Sequence, residues 1–133
     1  AAFPAVPDFG LTCALSDAAK ELGMPHVTGI VQCKDSFYGQ HSPQRMPVAQ
    51  KLLNDWEAWK AAGVIASEME SAALFVVAST LHVRCATVLN MIWNQEREAK
   101  YGTEAIPQLD MDAAIKTAVL AMRKIIMQDK RST

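Results

Sequence analysis

The stretch that decides the fold is Gly63-Val64-Ile65-Ala66-Ser67-Glu68-Met69-Glu70-Ser71, which runs straight into Ala72-Ala73-Leu74-Phe75-Val76-Val77-Ala78. Val64 to Ala66 is apolar but too brief for a helix, so it reads as a short buried strand. The polar residues that follow open a helix over 68 to 80. Two carboxylates suit that place, because a helix N-terminus offers unpaired N–H groups and the positive end of its dipole. Ser67 and Glu70 also have the S-x-x-E spacing of a capping box, and that structural role accounts for the spacing by itself. Ala72, Leu74, Phe75, Val76 and Ala78 leave the helix apolar on nearly every side, which predicts a central position.

The flanking sequence repeats this alternation of strand and helix. Upstream, beyond Pro4 and Pro7, Asp8 precedes a helical pattern with Leu11, Ala14, Leu15, Ala18, Ala19 and Leu22 on one face and Gly23 as its C′ residue. His26 to Cys33 is rich in β-branched residues and predicts a strand. Lys34 to Arg45 is a polar loop with two aromatics, set directly after that strand, where ligand loops of open α/β sheets lie; an ordinary surface connection has the same composition. Met46 to Ala62 predicts a helix, with Pro47 in its first turn and Gly63 at its end; Trp56 and Trp59 on its apolar side are assigned to the core or an interface. Downstream, His82 to Trp93 predicts another strand, ending at Asn94-Gln95. Glu98 to Pro107 reads as a loop and Asp110 to Met127 as a helix with Met111, Ala114, Ile115, Ala118, Val119, Met122, Ile125 and Ile126 in a stripe. The charged tail, 128 to 133, is expected to fray. Together these make an α/β fold, a mixed β-sheet flanked by helices.

With 133 residues, half of them apolar, the chain can bury a core as one globular unit. A net charge of −1 and the lack of any long basic run argue against a nucleic-acid partner. No apolar stretch nears the roughly 20 residues of a membrane helix, and Ala1-Ala2-Phe3-Pro4 lacks the charged and apolar regions of an export signal. Cys13, Cys33 and Cys85 are expected to be reduced core thiols of a cytoplasmic protein. No Cys-x-x-Cys or His-x-x-x-His spacing suggests a metal. His26 and His82 are expected as edge or core residues, while His41 lies in the polar loop.

Glu68-Met69-Glu70 resembles a segment of the nucleoside phosphorylase family, in the branch of uridine phosphorylases and the hexameric purine enzymes. The resemblance implies that Glu70 accepts hydrogen bonds from the ribose hydroxyls, with Glu68 beside it and Met69 packed on the sugar. A carboxylate suits this, since its two oxygens can take two vicinal O–H donors at once. Phe37-Tyr38-Gly39-Gln40, with Arg45 later, is similar to the family's pyrimidine-binding loop. It implies that Phe37 stacks on the base while Gln40 and Arg45 bond its polar edge. Relatives place the Arg two residues after the Gln; here His41-Ser42-Pro43-Gln44 intervenes, so Gln44 stands as an alternative to Gln40. Counting on from Glu70 without a gap, Asn94-Gln95 falls on the segment at the far side of the base. Many uridine phosphorylases have Arg where this chain has Gln95. An amide donates and accepts but carries no charge, so base preference stays open, with Arg97 as a possible compensation.

The resemblance spans essentially all of the chain but only the C-terminal half of its relatives. It therefore implies that residues 1–133 form a single partial domain carrying base- and ribose-binding elements, without the N-terminal phosphate-binding half. The implied reaction is phosphorolysis of a pyrimidine ribonucleoside, with Glu70, Arg45 and Gln95 as catalytic residues. It needs no metal or cofactor, and phosphate serves as co-substrate. The implied partners are nucleoside, phosphate and further copies of the chain in a dimer-based hexamer. A nucleosidase, a purine nucleoside phosphorylase and a noncatalytic nucleoside-binding fragment remain the alternatives.

Overall fold

The computed structural model describes residues 3–102 and 111–132. Its packing separates into two compact units: Val27–Ala86 with the N-terminal stretch up to Asp8, and Phe9–His26 with the chain from Thr87 onward. Secondary structure is helix-rich α/β, the class expected, and the sheet among the described residues is two-stranded and parallel.

In the first unit β1 (Val31–Cys33) pairs with β2 (Ala66–Glu68) in the register Val31↔Ala66, Gln32↔Ser67, Cys33↔Glu68. Ile65 N donates to Ile30 O at 2.9 Å and Lys34 N to Glu68 O at 2.9 Å, so the ladder runs one step past each strand end. β1 is shorter than the His26 to Cys33 stretch expected, because its partner offers only three residues to pair with. A parallel pair needs a crossover. Here that crossover holds α2 (Phe37–His41), a 3₁₀ turn (Pro43–Arg45) and α3 (Ala49–Ala61), with α2 and the turn packed on α3. The expected polar loop is thus partly helical. Ser36 starts α2 by accepting from Gly39 N at 3.0 Å, and Gly39 is buried so closely that a Cβ there would lie 3.2 Å from that of Ser36. No residue of α3 is buried and Trp59 is 44 % exposed, which removes its tryptophans from the core of this chain.

α4 (Ser71–Thr80) starts three residues later than expected, since Glu68 still belongs to β2. Ser71, Phe75 and Ala78 are buried, but Leu74 and Val77 are exposed, so the helix is covered on one side only and not on nearly every side. The stretch His82–Trp93 forms no strand. β-Branched composition favours extended backbone, but a strand requires a neighbour. That stretch is tied to a distant segment by Asp8 N, which donates to Cys85 O at 2.7 Å.

In the second unit α1 (Phe9–Glu21) packs along α6 (Asp112–Ser132). Ala14, Ala18, Ala121 and Ile125 are buried together, with Leu11, Leu15 and Leu120 against them. Small side chains let the two backbones approach closely. The face of α6 that is buried, Ala114, Thr117, Ala121 and Ile125, is not the whole expected stripe: Met111, Ile115, Val119, Met122 and Ile126 are exposed. Helix continues through Ser132, where fraying was expected. Of the expected loop from Glu98 to Pro107, residues 98–101 belong to α5 (Gln95–Tyr101) and 103–107 lie outside the described residues, as does Asp110. The cysteines are free, but Cys13 is exposed and so is no core thiol; Cys33 and Cys85 are partly buried. His26 bridges a turn, its Nδ1 3.1 Å from Met24 O and its Nε2 3.0 Å from Ser16 Oγ.

Three helices end alike. After α1 and α3, Gly23 and Gly63 adopt φ of +65° and +79°, and each backbone N–H there closes back on the last helical turn. α4 ends in the same motif, with His82 N donating to Ser79 O and Val83 N to Ala78 O, but the left-handed position is filled by His82 at φ 54°. A Cβ in that conformation costs roughly 1–2 kcal/mol. His82→Gly is accordingly expected to stabilise the chain by about 0.5–1 kcal/mol, seen as a higher urea midpoint at unchanged slope; an unchanged or lower midpoint would contradict the strain.

Candidate functional site

The register of β1 against β2 sets which side chains meet. Cys33 is opposite Glu68, so the residues after each strand, Lys34 onward and Met69 onward, leave the sheet at one edge. At that edge Lys34 Nζ donates to Ser67 Oγ at 3.1 Å, and Ser67 Oγ in turn lies 2.7 Å from Gln40 Oε1 and 3.3 Å from Gln32 Oε1. One hydroxyl thus joins β1, β2 and α2. Lys34 Nζ also sits 5.9 Å from the centre of the Phe37 ring.

Phe37 is half exposed, with His41 at 4.2 Å between ring centres and Tyr38 edge-on at 5.5 Å. His41 therefore braces Phe37. Gln40 and Phe37 are brought to the same small network. Gln44 and Arg45 are not: both are exposed on the 3₁₀ turn, and neither side chain hydrogen-bonds another described residue. Pro43 is buried beneath them and fixes the turn.

The two carboxylates differ sharply. Glu68 Oε2 accepts from Glu70 N and from Ser71 N, each at 2.7 Å, so Glu68 closes the first turn of α4. Its capping role was expected of Ser67 and Glu70. The box fails because Ser67 is a strand residue whose hydroxyl faces Gln40 and Lys34. Glu70, the N-cap residue by position, is exposed, and its Oε2 takes only a 3.2 Å contact from Met69 N. Met69 is exposed beside it.

Electrostatics follow from this crowding. Burial pushes the Cys33 thiol up, against a backbone hydrogen bond from Ala72, with Glu68 adding to the rise. Desolvation lowers the Lys34 ammonium, while Glu68 and Glu70 pull it back up. Burial would raise the Glu68 carboxyl, but hydrogen bonds from Ser71, Glu70 and the Cys33 thiol outweigh it and hold the pKa below its usual range.

In the second unit Asn94 caps α5, its Oδ1 accepting from Arg97 N at 2.8 Å, and Gln95 is the first helical residue. Arg97 lies 5.9 Å from the Tyr101 ring centre. Asn94 thus has structural work of its own, which S/T/D/N preference at N-caps makes legible in the sequence. Lys34 and Ser67 escaped the sequence reading as members of the site. The signal that points to Lys34 is its place as the first residue after β1, opposite a carboxylate-bearing strand. Among the described residues no cluster of His, Cys, Asp and Glu is placed to hold a metal, and no helix is long and apolar enough to cross a membrane.

Residues 1–126 match the family model described as the phosphorylase superfamily. A uridine phosphorylase from Treponema pallidum is 53 % identical over 127 residues, covering 96 % of this chain and 49 % of its own length. One from Escherichia coli is 33 % identical over 127 residues, 93 % of this chain and 50 % of its own length. A DeoD-type purine nucleoside phosphorylase from Levilactobacillus brevis is 36 % identical over 89 residues, 67 % of this chain and 33 % of its own length. The chain spans about half the length of these two uridine phosphorylases.

Glu68→Ala should destabilise the start of α4 by about 1 kcal/mol, the usual worth of an N-terminal cap, measured as faster amide exchange in Ala72 to Phe75. Because the Glu68 pKa is lowered in the fold, its contribution is complete above the unfolded carboxyl's value and is lost as pH falls through the lowered one. The difference between the native chain and Glu68→Ala should therefore hold at neutral pH and shrink below roughly pH 4; a difference that grows on acidification would reverse the assignment.

Proposed function

The chain belongs to the phosphorylase superfamily, and from that membership we propose that it supplies the base and ribose site of an enzyme that converts uridine and phosphate to uracil and ribose 1-phosphate. The observation that carries the reading is the contrast between the two carboxylates. Glu68 is committed to the start of α4, whereas Glu70 stands exposed and lightly held next to exposed Met69. A carboxylate kept at a sheet edge by a neighbour that does the structural work is suited to take the two hydroxyls of a ribose.

In this reading Glu70 clamps the sugar and favours the cationic character it gains as the C1′–N bond lengthens. Phe37 stacks on the base. Gln40, Arg45 and Gln95 bond the departing ring where negative charge grows, with Gln44 and Asn94 alongside. Phosphate attacks C1′ and the bonding pair leaves with the base. Arginines and backbone N–H groups to hold that phosphate come from outside these 133 residues. The complete enzyme is a homo-oligomer built from dimers, works in the cytoplasm in nucleoside catabolism and pyrimidine salvage, and needs no cofactor. The purine phosphorylase match, together with Gln95 where many uridine phosphorylases have Arg, favours a purine nucleoside as the second reading.

Two measurements test this. In the full-length protein Glu70→Ala should cut uridine phosphorolysis by on the order of a hundredfold or more, with the 133-residue chain alone releasing no uracil from uridine and phosphate. An active Glu70→Ala enzyme removes the ribose clamp, and turnover by the isolated chain removes the division of labour. A panel of uridine, thymidine, inosine and methylthioadenosine separates the two readings of the base.

A further inference from the structure

We propose that Lys34 is a catalytic residue, whose ammonium stabilises the negative charge that gathers on a ring carbonyl oxygen of the departing base. The inference rests on the reading of this sheet edge as the base site of a nucleoside phosphorylase. As the C1′–N bond breaks, its electron pair stays with the ring nitrogen and spreads onto the carbonyl oxygens, while a phosphate oxygen forms the new bond to C1′. Lys34 keeps its proton in that step and donates a hydrogen bond; the released ring anion takes a proton from water.

The residues read as base contacts are short of charge. Gln40 and Gln95 are amides, which bring dipoles but no net charge, and Arg45 stands exposed on the 3₁₀ turn, outside the network around Phe37. Lys34 is the cation that the fold places beside Phe37, its Nζ lying over the ring at 5.9 Å from the centre. A base stacked offset on that face has its own centre roughly 4.5–7 Å from that of Phe37. The ammonium therefore stands as far from Phe37 as a base would, and can meet the edge of one. A fixed charge in a partly dehydrated place is worth more to a developing anion than the same charge in water.

Lys34 is held in this position without being used up. Its backbone N donates to Glu68 O at 2.9 Å as the last rung of the ladder, which fixes where the side chain starts, and the residue is partly buried. Nζ gives one N–H to Ser67 Oγ at 3.1 Å and, among the described residues, forms no ion pair. An ammonium has further N–H donors to offer. Glu68 and Glu70 act on it through space, favouring its charged form against the desolvation that lowers its pKa. Glu68 meanwhile spends one oxygen on Glu70 N and Ser71 N. A lysine locked onto a carboxylate would offer a departing base little net charge; Lys34 is steadied by a neutral hydroxyl.

The test compares two leaving groups in the full-length enzyme, with the bond-breaking step followed in single turnover. Lys34→Met should slow the phosphorolysis of uridine by about a hundredfold, the usual worth of one group aimed at developing charge. For 5-fluorouridine, whose electron-poor ring carries negative charge with less help, the loss should be only about tenfold. Lys34→Arg, which keeps a cation, should recover most of the rate, and uridine affinity should change little because the charge is absent from the bound substrate. The ratio of the two substrates' rates within one sample does not depend on how much of the variant has folded. Equal losses for the two nucleosides, a Lys34→Met rate near that of the native enzyme, or a Lys34→Arg enzyme as slow as Lys34→Met would each overturn the role of Lys34 and leave the functional reading standing. A native full-length enzyme that cleaves neither nucleoside would instead overturn that reading, and this proposal with it.

Discussion

Everything at the candidate site depends on three rungs of parallel pairing. Because Cys33 stands opposite Glu68, the chain leaves β1 as Lys34 and leaves β2 as Met69 at the same edge. A slip of one residue would turn every side chain of a strand to the opposite face. Ser67 would then point away from Gln40. The backbone bond from Lys34 N to Glu68 O guards that register at the point where it matters. So short a sheet is held by what surrounds it, the crossover of α2, the 3₁₀ turn and α3.

This non-local pairing is also the boundary of what the sequence discloses. Helices α1, α3 and α6 are visible as period-3.6 patterns, and Gly23 and Gly63 mark two of their ends. Those are local properties, fixed within a few residues. The strand expected over His82–Trp93 has the right composition, and composition cannot tell whether a neighbour exists. The α6 stripe shows the same limit from another side: the apolar residues are where the periodicity puts them, but only the line through Ala114, Thr117, Ala121 and Ile125 meets α1. Alanines at Ala14, Ala18 and Ala121 decide which line wins, since small residues allow the closest approach.

Within the site, residue types were legible and their partners were not. Phe37, Gln40, Glu68 and Glu70 stand out by chemistry and by resemblance. That Glu68 and not Ser67 caps α4 follows from where β2 ends, which only the pairing determines. Ser67 is freed from the cap by being the last strand residue but one, and a hydroxyl there faces across the sheet to whatever β1 presents. Lys34 is the least visible of all, because a lysine after a strand is ordinarily a solvated surface group. Its lowered pKa comes from the burial that the crossover imposes.

The two carboxylates at the start of α4 do different things. A helix start favours negative charge whichever side chain supplies it, so one acidic residue at this place would be drawn toward the backbone N–H groups and away from any ligand. With Glu68 saturating Glu70 N and Ser71 N, the second carboxylate feels the same favourable dipole but finds those nearest donors taken. Glu70 is thereby left exposed at the cap beside a neighbour that holds the turn. The two glutamates around one methionine thus take different places: the first ends the strand and reaches forward to the helix, and the second sits at the cap and is exposed.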